Sequence, residues 1–124
     1  MPTRLDRLVA KLRDYAFSLP EAYEDHPWGE SVAKVAKKVF VFMPPRADSK
    51  TGFTFSVKLP QSRDQALAFP FAEPTGYGLG KSGWVTIKLP PSTPVPLELL
   101  LPWVEESYRA VAPKRLVAKL DEAT

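Results

Sequence analysis

The chain has 124 residues, 44% of them hydrophobic and 25% charged, which fits a single folded domain over residues 1–124 and excludes global disorder. It contains no cysteine, so disulfides, thiolate metal sites and cysteine nucleophiles are excluded. The net charge is +3, and its excess lies between residues 28 and 90, which hold nine basic and four acidic side chains. Such a concentrated positive field can steer an anionic partner.

The first segment is predicted to be an amphipathic helix, because apolar residues recur at the i, i+3, i+4, i+7 spacing from Leu5 to Leu19. Thr3 can cap its start with Asp6 in the first turn, and Pro20 ends it by disfavouring helix at the residue before. Charges interrupt this segment every few residues, and no apolar run is long enough for a signal peptide or a membrane span. A cytoplasmic location is therefore expected.

The middle of the chain is predicted to be mostly β-structure. Four runs rich in β-branched and aromatic residues are predicted strands: Ser31–Ala36, Val39–Met43, Phe53–Lys58 and Trp84–Leu89. Lys37-Lys38 separates the first two strands and indicates a hairpin, whereas residues 44–52 form a polar loop that contains prolines. A short helix is predicted over Asp64–Phe69, ended by Pro70.

The last third of the chain is predicted to be helical. Pro96 suits a first helical position, and an apolar stripe follows from Leu97 to Val111. Pro102 removes one backbone hydrogen bond and is expected to kink this helix, and Pro113 begins a final short helix. The predicted order is α-β-β-β-α-β-β-α, which places one strand more than the four runs after the short helix. It predicts an α+β fold in which helices cover one face of an antiparallel sheet.

Six short motifs occur in order along the chain, at residues 18–22 (SLPEA), 27–29 (PWG), 38–40 (KVF), 56–58 (SVK), 83–86 (GWVT) and 106–108 (ESY). Together they resemble the MmcQ/YjbR family over nearly the whole chain, from about residue 5 to about residue 120. The resemblance implies a CyaY-like fold, a twisted antiparallel sheet flanked by helices. It also implies a proposed DNA-binding role in which β-hairpins act as a double wing, and it carries no catalytic residues to this chain. The irregular loop at residues 44–52 departs from the plain connection expected of the family.

Neither a metal site nor an enzyme active site is predicted. His26 is the chain's single histidine, so a histidine cluster is impossible, and Glu24-Asp25-His26 are sequence neighbours of a kind that rarely converges on one ion. The Gly-Lys-Ser at residues 80–82 resembles the end of a phosphate-binding loop, but Thr75 stands where that loop needs glycine and a strand follows. We therefore expect a non-enzyme that needs no cofactor.

Alternation along two strands predicts a candidate nucleic-acid interface. With Phe53, Phe55 and Val57 facing the helices, the opposite sheet face carries lysines and hydroxyls interleaved with an indole. Ammonium groups neutralise phosphates, and an aromatic ring can stack on an unpaired base. Further lysines are expected on strand edges or hairpin tips, within reach of phosphates. The predicted nucleic-acid-binding residues are Lys34, Lys37, Lys38, Lys58, Lys81, Trp84, Thr86 and Lys88.

Two other interpretations of this surface stay open. A sheet face with a central, exposed Trp84 also suits the docking of a protein partner, because aromatic anchors dominate such interfaces. Alternatively, Trp84 is tucked under a neighbouring loop, and Thr86 and Lys88 do no more than solvate the sheet. Trp28 and Trp103 are expected in the core, and a monomer is expected. Nucleic acid, DNA in particular, is the partner that the resemblance favours.

Overall fold

The computed structural model describes residues 3–27, 31–44, 47–48, 50–76, 79–91 and 95–123. Within these residues the helices and strands are, in chain order, α1 (Arg4–Ser18), β1 (Tyr23–Asp25), β2 (Val32–Val35), β3 (Lys38–Phe42), β4 (Phe53–Lys58), α2 (Arg63–Leu67), β5 (Ala72–Pro74), β6 (Trp84–Leu89), α3 (Leu97–Val111) and α4 (Lys114–Ala123). A 3₁₀ turn over Leu79–Ser82 precedes β6. None of the described helices is long and apolar enough to cross a membrane.

The strands form one antiparallel sheet in the order β1-β2-β3-β4-β6-β5. β4 and β6 pair along their whole length, from Phe53 opposite Leu89 to Lys58 opposite Trp84. This register places the apolar alternates of both strands on one face, where α3 packs against β3 and β4 and also contacts α1. The core therefore lies between the sheet and these helices, and the predicted α+β fold with an antiparallel sheet is confirmed.

The first helix begins as predicted. The Thr3 hydroxyl accepts a hydrogen bond from the Asp6 N–H at 3.1 Å, and the Thr3 N–H donates to the Asp6 carboxylate at 2.9 Å. This reciprocal capping box satisfies two backbone donors that a helix start leaves without intrahelical partners. Val9, Leu12 and Ala16 are buried, which confirms the apolar face.

The observed order of elements differs from the predicted one at β1 and at the C-terminus. It is α-β-β-β-β-α-β-β-α-α, because β1 adds a strand and because the final short helix predicted to begin at Pro113, which that order did not count separately, is α4. β1 has only three residues, none of them buried, so it shows no alternating pattern that sequence reasoning could detect. α3 continues unbroken through Pro102, whose side chain is exposed, whereas Trp103 and Val104 are buried.

Candidate nucleic-acid interface

The connection between β2 and β3 is a tight turn that presents lysines. Ala36 and Lys37 have φ angles of +51° and +68°, the left-handed pair that a two-residue type I′ hairpin turn requires. Val35 pairs with Lys38 across the turn. Lys37 and Lys38 are both exposed, so the predicted hairpin is confirmed and carries two lysines at its tip.

The register of the sheet brings this tip to the same end as two further lysines. β3 runs antiparallel to β4, so the start of β3 lies at the end of the sheet where β4 finishes with Lys58. Lys58 pairs with Trp84 at the start of β6, and Lys81 lies in the 3₁₀ turn just before it. Strand geometry places the Cα atoms of Lys38 and Lys58 on the order of 10 Å apart. We call Lys37, Lys38, Lys58 and Lys81 the basic end of the sheet.

The other two predicted lysines, Lys34 and Lys88, form ion pairs and do not belong to the basic end. The Lys34 ammonium lies 2.6 Å from the Asp25 carboxylate, and that hydrogen bond lowers the pKa of Asp25 and raises the pKa of Lys34. The Lys88 ammonium lies 2.9 Å from Glu73, at the other end of β6. The four lysines of the basic end make no ion pair with any residue that the structure describes. Among the predicted lysines, these four therefore keep their charge available to an external anion.

Trp84 lies on the predicted face, but the expectation of an exposed indole is wrong. Its side chain is only 8% exposed and packs against Phe42, with ring centroids 5.1 Å apart. Val32, the cross-strand partner of Phe42, is buried beside it. These three residues form a small apolar cluster on the face opposite the main core, so the indole is not available for stacking on a base. Trp103 is buried as predicted, and Trp28 lies outside the described residues.

Thr86 belongs to a row of hydroxyl groups across the same face. Its Oγ1 lies 2.9 Å from the hydroxyl of Ser56 on β4 and 2.9 Å from the hydroxyl of Thr75. Ser56 is nearly buried, and Thr86 and Thr75 are half-buried. These contacts give the three hydroxyl groups hydrogen-bond partners on the part of the face between the Trp84 cluster and the Lys88–Glu73 pair. Thr86 therefore already has two partners within the protein.

Ser107 holds the end of β4 in place. Its hydroxyl accepts a hydrogen bond from the Lys58 backbone N–H at 2.8 Å and donates one to the carbonyl of Phe40. The side chain is fully buried on α3, between the end of β4 and the middle of β3. Sequence reasoning marked residues 106–108 only as a motif, because nothing in a linear pattern shows which strands a helix residue reaches.

The neighbours of Ser107 fix the same region. The Glu106 carboxylate accepts hydrogen bonds from the backbone N–H groups of Gln61 and Ser62, at 3.0 and 2.9 Å, in the turn that follows β4. The Tyr108 hydroxyl donates to the Pro20 carbonyl at 2.7 Å, and the Tyr108 ring lies edge-on to a buried phenylalanine of β3. The whole motif therefore ties α3 to the strand ends that carry the basic end.

The acidic cluster at residues 24–26 is occupied by local ion pairs. Glu24 lies 2.8 Å from Arg13 and 3.3 Å from the His26 ring, while Asp25 contacts the lysine of β2 described above. Hydrogen bonds from Ser31 and then from Arg13 hold the pKa of Glu24 below its ordinary value. Among the described residues, no group of three or more histidine, aspartate or glutamate side chains is placed to hold a metal ion.

The chain is similar to known proteins in both sequence and fold. A family model described as YjbR matches residues 17–110. The chain is similar to protein DR2400 of Deinococcus radiodurans, whose domain is described as DUF419, with a TM-score of 0.70 and 26% identity over 98% of this chain and 92% of that one. It also shares its fold with a protein from Pseudomonas syringae, with a TM-score of 0.61 and 20% identity over 82% of this chain and 97% of that one. No curated protein matches the chain. The basic end and residues 106–108 all fall within the span matched by the family model.

Proposed function

The chain belongs to the YjbR family, and we propose that it is a non-catalytic protein that binds nucleic acid, DNA in particular, through its basic end. The observation that carries the proposal is the gathering of four lysines at one end of the sheet, none of them in an ion pair with another described residue. Three are exposed and Lys58 is half-buried. The DNA-binding role that the resemblance to the family implies agrees with this placement.

The arrangement of the connections also supports the proposal. Two of them flank the end of β4: the type I′ turn with Lys37, and the 3₁₀ turn just before β6 with Lys81. Lys58 lies between the two. Paired hairpin tips around a basic strand end are the shape expected of a double wing, in which each tip contacts the phosphates of a duplex.

The chemistry of the lysines predicts binding to the phosphate backbone with little sequence preference. A lysine contact to a phosphate releases condensed counterions, so affinity falls linearly with salt on logarithmic axes. Four contacts to B-DNA correspond to a slope of about −3.6. Such contacts position a ligand without reading its bases. Because Trp84 is buried, we expect no stacking of its indole on the bases of single strands.

Fluorescence anisotropy with labelled double- and single-stranded DNA, at several salt concentrations, tests the proposal. The double variant Lys37→Glu/Lys38→Glu removes the hairpin charge. The matched control, Lys11→Glu/Lys114→Glu, makes the same change in net charge at exposed positions on α1 and α4. We expect saturable binding of duplex by the wild type, a loss of about tenfold or more in the hairpin variant, and a much smaller loss in the control.

Two results would contradict the proposal. If the wild type shows no binding at low salt, nucleic acid is not the partner. A protein partner is then the next to test by affinity capture, and it would dock without Trp84 as an anchor, because that side chain is buried. If both double variants lose the same affinity, binding reflects net charge alone and the basic end has no special role.

A further inference from the structure

We propose that Ser107 is a positioning residue for the basic end: its hydroxyl sets the distance between the β2–β3 hairpin, with Lys37 and Lys38, and the end of β4, with Lys58. The consequence for binding rests on the proposed function, whereas the spacing itself does not. The inference gives a role to residues 106–108, which belong to neither the basic end nor the predicted binding residues.

The ladder between β3 and β4 lacks a direct hydrogen bond at Phe40. Its pairs are Phe42 with Ser56 and Val41 with Val57. In a regular antiparallel ladder the next pair is Phe40 with Lys58, and hydrogen bonds alternate so that the Lys58 N–H donates to the Phe40 carbonyl. Here both groups bind the Ser107 hydroxyl instead. The helix side chain therefore takes the place of a direct bond between the strands.

The bridging hydroxyl holds the two strands farther apart than a direct hydrogen bond would. A direct N–H···O bond has a donor–acceptor distance of about 2.9 Å, whereas a bridging hydroxyl holds the same two atoms roughly 4–5 Å apart. The strands consequently diverge by about 1–2 Å at Phe40. On its other edge β3 has a bulge at the same residue, because Ala33 pairs with Val41 while Lys34 pairs with Val39. Bulges bend and twist a strand, so β3 bends at this point.

The burial of Ser107 and the contacts of its neighbours hold its hydroxyl between the two strands. Ser107 is fully buried, so its hydroxyl has no access to solvent water as an alternative partner. Glu106 binds the backbone of Gln61 and Ser62 just beyond β4, and the Tyr108 ring packs on Phe40 with centroids 5.3 Å apart. Both neighbours hold the helix against the two strands that Ser107 separates. The spacing is thus imposed by α3 and does not depend on the hairpin itself.

Removing the hydroxyl allows the ladder to close. With alanine at position 107, the Lys58 N–H and the Phe40 carbonyl would each lack a partner in a buried site, and a direct bond between them satisfies both. The hairpin would then move towards β4, and the lysines of its tip would lose their registration with Lys58. We expect a several-fold loss of DNA affinity and a salt slope shallower by about one unit, as for one lost phosphate contact.

Nuclear magnetic resonance detects the direct bond through the scalar coupling between the Lys58 amide nitrogen and the Phe40 carbonyl carbon. The experiment compares the wild type, Ser107→Ala and Val104→Ala, a control that loses buried methyl groups from the same helix. We expect no such coupling in the wild type or in Val104→Ala, and its appearance in Ser107→Ala. DNA affinity and salt slope, measured on the same three proteins, are expected to change only in Ser107→Ala.

Each outcome decides a separate part of the inference. A Lys58–Phe40 coupling in the wild type would show that no hydroxyl lies between the strands and would overturn the inference without any variant. Absence of the coupling in folded Ser107→Ala would overturn the spacing role. Appearance of the coupling with unchanged DNA affinity would overturn the binding consequence alone. If the wild type binds no DNA, the proposed function fails, yet the couplings still decide the spacing.

Discussion

The Ser107 hydroxyl accepts a hydrogen bond from the Lys58 backbone N–H at 2.8 Å, so a buried residue of α3 holds a strand end whose side chain belongs to the basic end. The contact involves only the backbone of Lys58. The Lys58 side chain lies on the opposite sheet face, beside its cross-strand partner Trp84. Substitutions of the lysine side chain should therefore affect binding while leaving this link, and with it the stability of the fold, largely unchanged.

Lys58→Gln and Lys88→Gln form a matched pair, because the two lysines lie on the same sheet face and lose the same charge. Lys88 is already paired with Glu73 and lies at the far end of β6, whereas Lys58 belongs to the basic end. We expect Lys58→Gln to make the salt slope of DNA binding shallower by about one unit, and Lys88→Gln to leave it unchanged. Anisotropy titrations at four salt concentrations measure both slopes. An equal effect of the two substitutions would show that the whole face, and not its basic end, binds the polyanion.

Trp84→Phe tests whether the Trp84 side chain packs within the fold or stacks on a DNA base. The indole is buried against Phe42, so the smaller ring should lower the free energy of unfolding by about 1–3 kcal/mol. Because the side chain is not exposed to a ligand, affinity for single- and double-stranded DNA should stay within about twofold of the wild type. Urea unfolding gives the first quantity and anisotropy the second. A selective loss of single-strand binding, with stability unchanged, would restore the stacking interpretation.

Gly52→Ala should be among the most damaging single substitutions in the chain. Gly52 has a φ of +93°, and an added Cβ would lie 1.9 Å from the Leu89 carbonyl oxygen. Neither the backbone of β6 nor the left-handed angle can adjust easily, so we expect a loss of about 3 kcal/mol or more. Gly76→Ala is the control, since nothing lies within 4 Å of its Cβ position, and it should change stability by less than about 0.5 kcal/mol. Similar urea midpoints for the two variants would refute the close approach of Gly52 to β6.

Glu24 should make the fold sensitive to acid. Hydrogen bonds from Ser31 and Arg13 lower its pKa from the ordinary value of 4.5, so the unfolded chain binds its proton at higher pH than the folded one does. The stabilising contribution of Glu24 is therefore complete above its unfolded pKa and is lost as pH falls through the lowered folded value.

Urea unfolding of the wild type and Glu24→Gln, from pH 7 down to about pH 3, tests this linkage. The stability difference between the two proteins should be largest near neutral pH and shrink in acid. Glu122→Gln, an exposed position on α4, serves as the control for loss of one carboxylate. A difference that stays constant with pH would mean that the Arg13–Glu24–Ser31 contacts do not depend on the charge of Glu24.

Much of the sheet was predictable because its signals are local. The alternation of Phe53, Phe55 and Val57 predicts which side of β4 faces the core. The capping residue Thr3 predicts the start of α1. The burial of Trp84 was harder to predict from the sequence. It depends on Phe42, whose face is set by the bulge at Phe40, and a bulge of this kind breaks the two-residue period on which face assignment relies.

The candidate site was predictable in composition but not in geometry. All four lysines of the basic end were among the predicted residues, yet so were Lys34 and Lys88, which look equivalent in a linear pattern. Only the fold shows that those two lie beside Asp25 and Glu73. Ser107 illustrates the same limit, since its partners lie 49 and 67 residues away in the chain. Long-range hydrogen bonds leave no periodic signal in a sequence.

The most direct test of the central claim is a titration of isotopically labelled protein with a short DNA duplex at low salt, followed through the backbone amide resonances. Binding at the basic end should shift resonances of residues 35–39, of Lys58 and of residues 79–83, and should leave those of Glu73, Lys88 and α4 nearly unchanged. Shifts centred on Lys88, on the helices, or on no single surface would contradict the account.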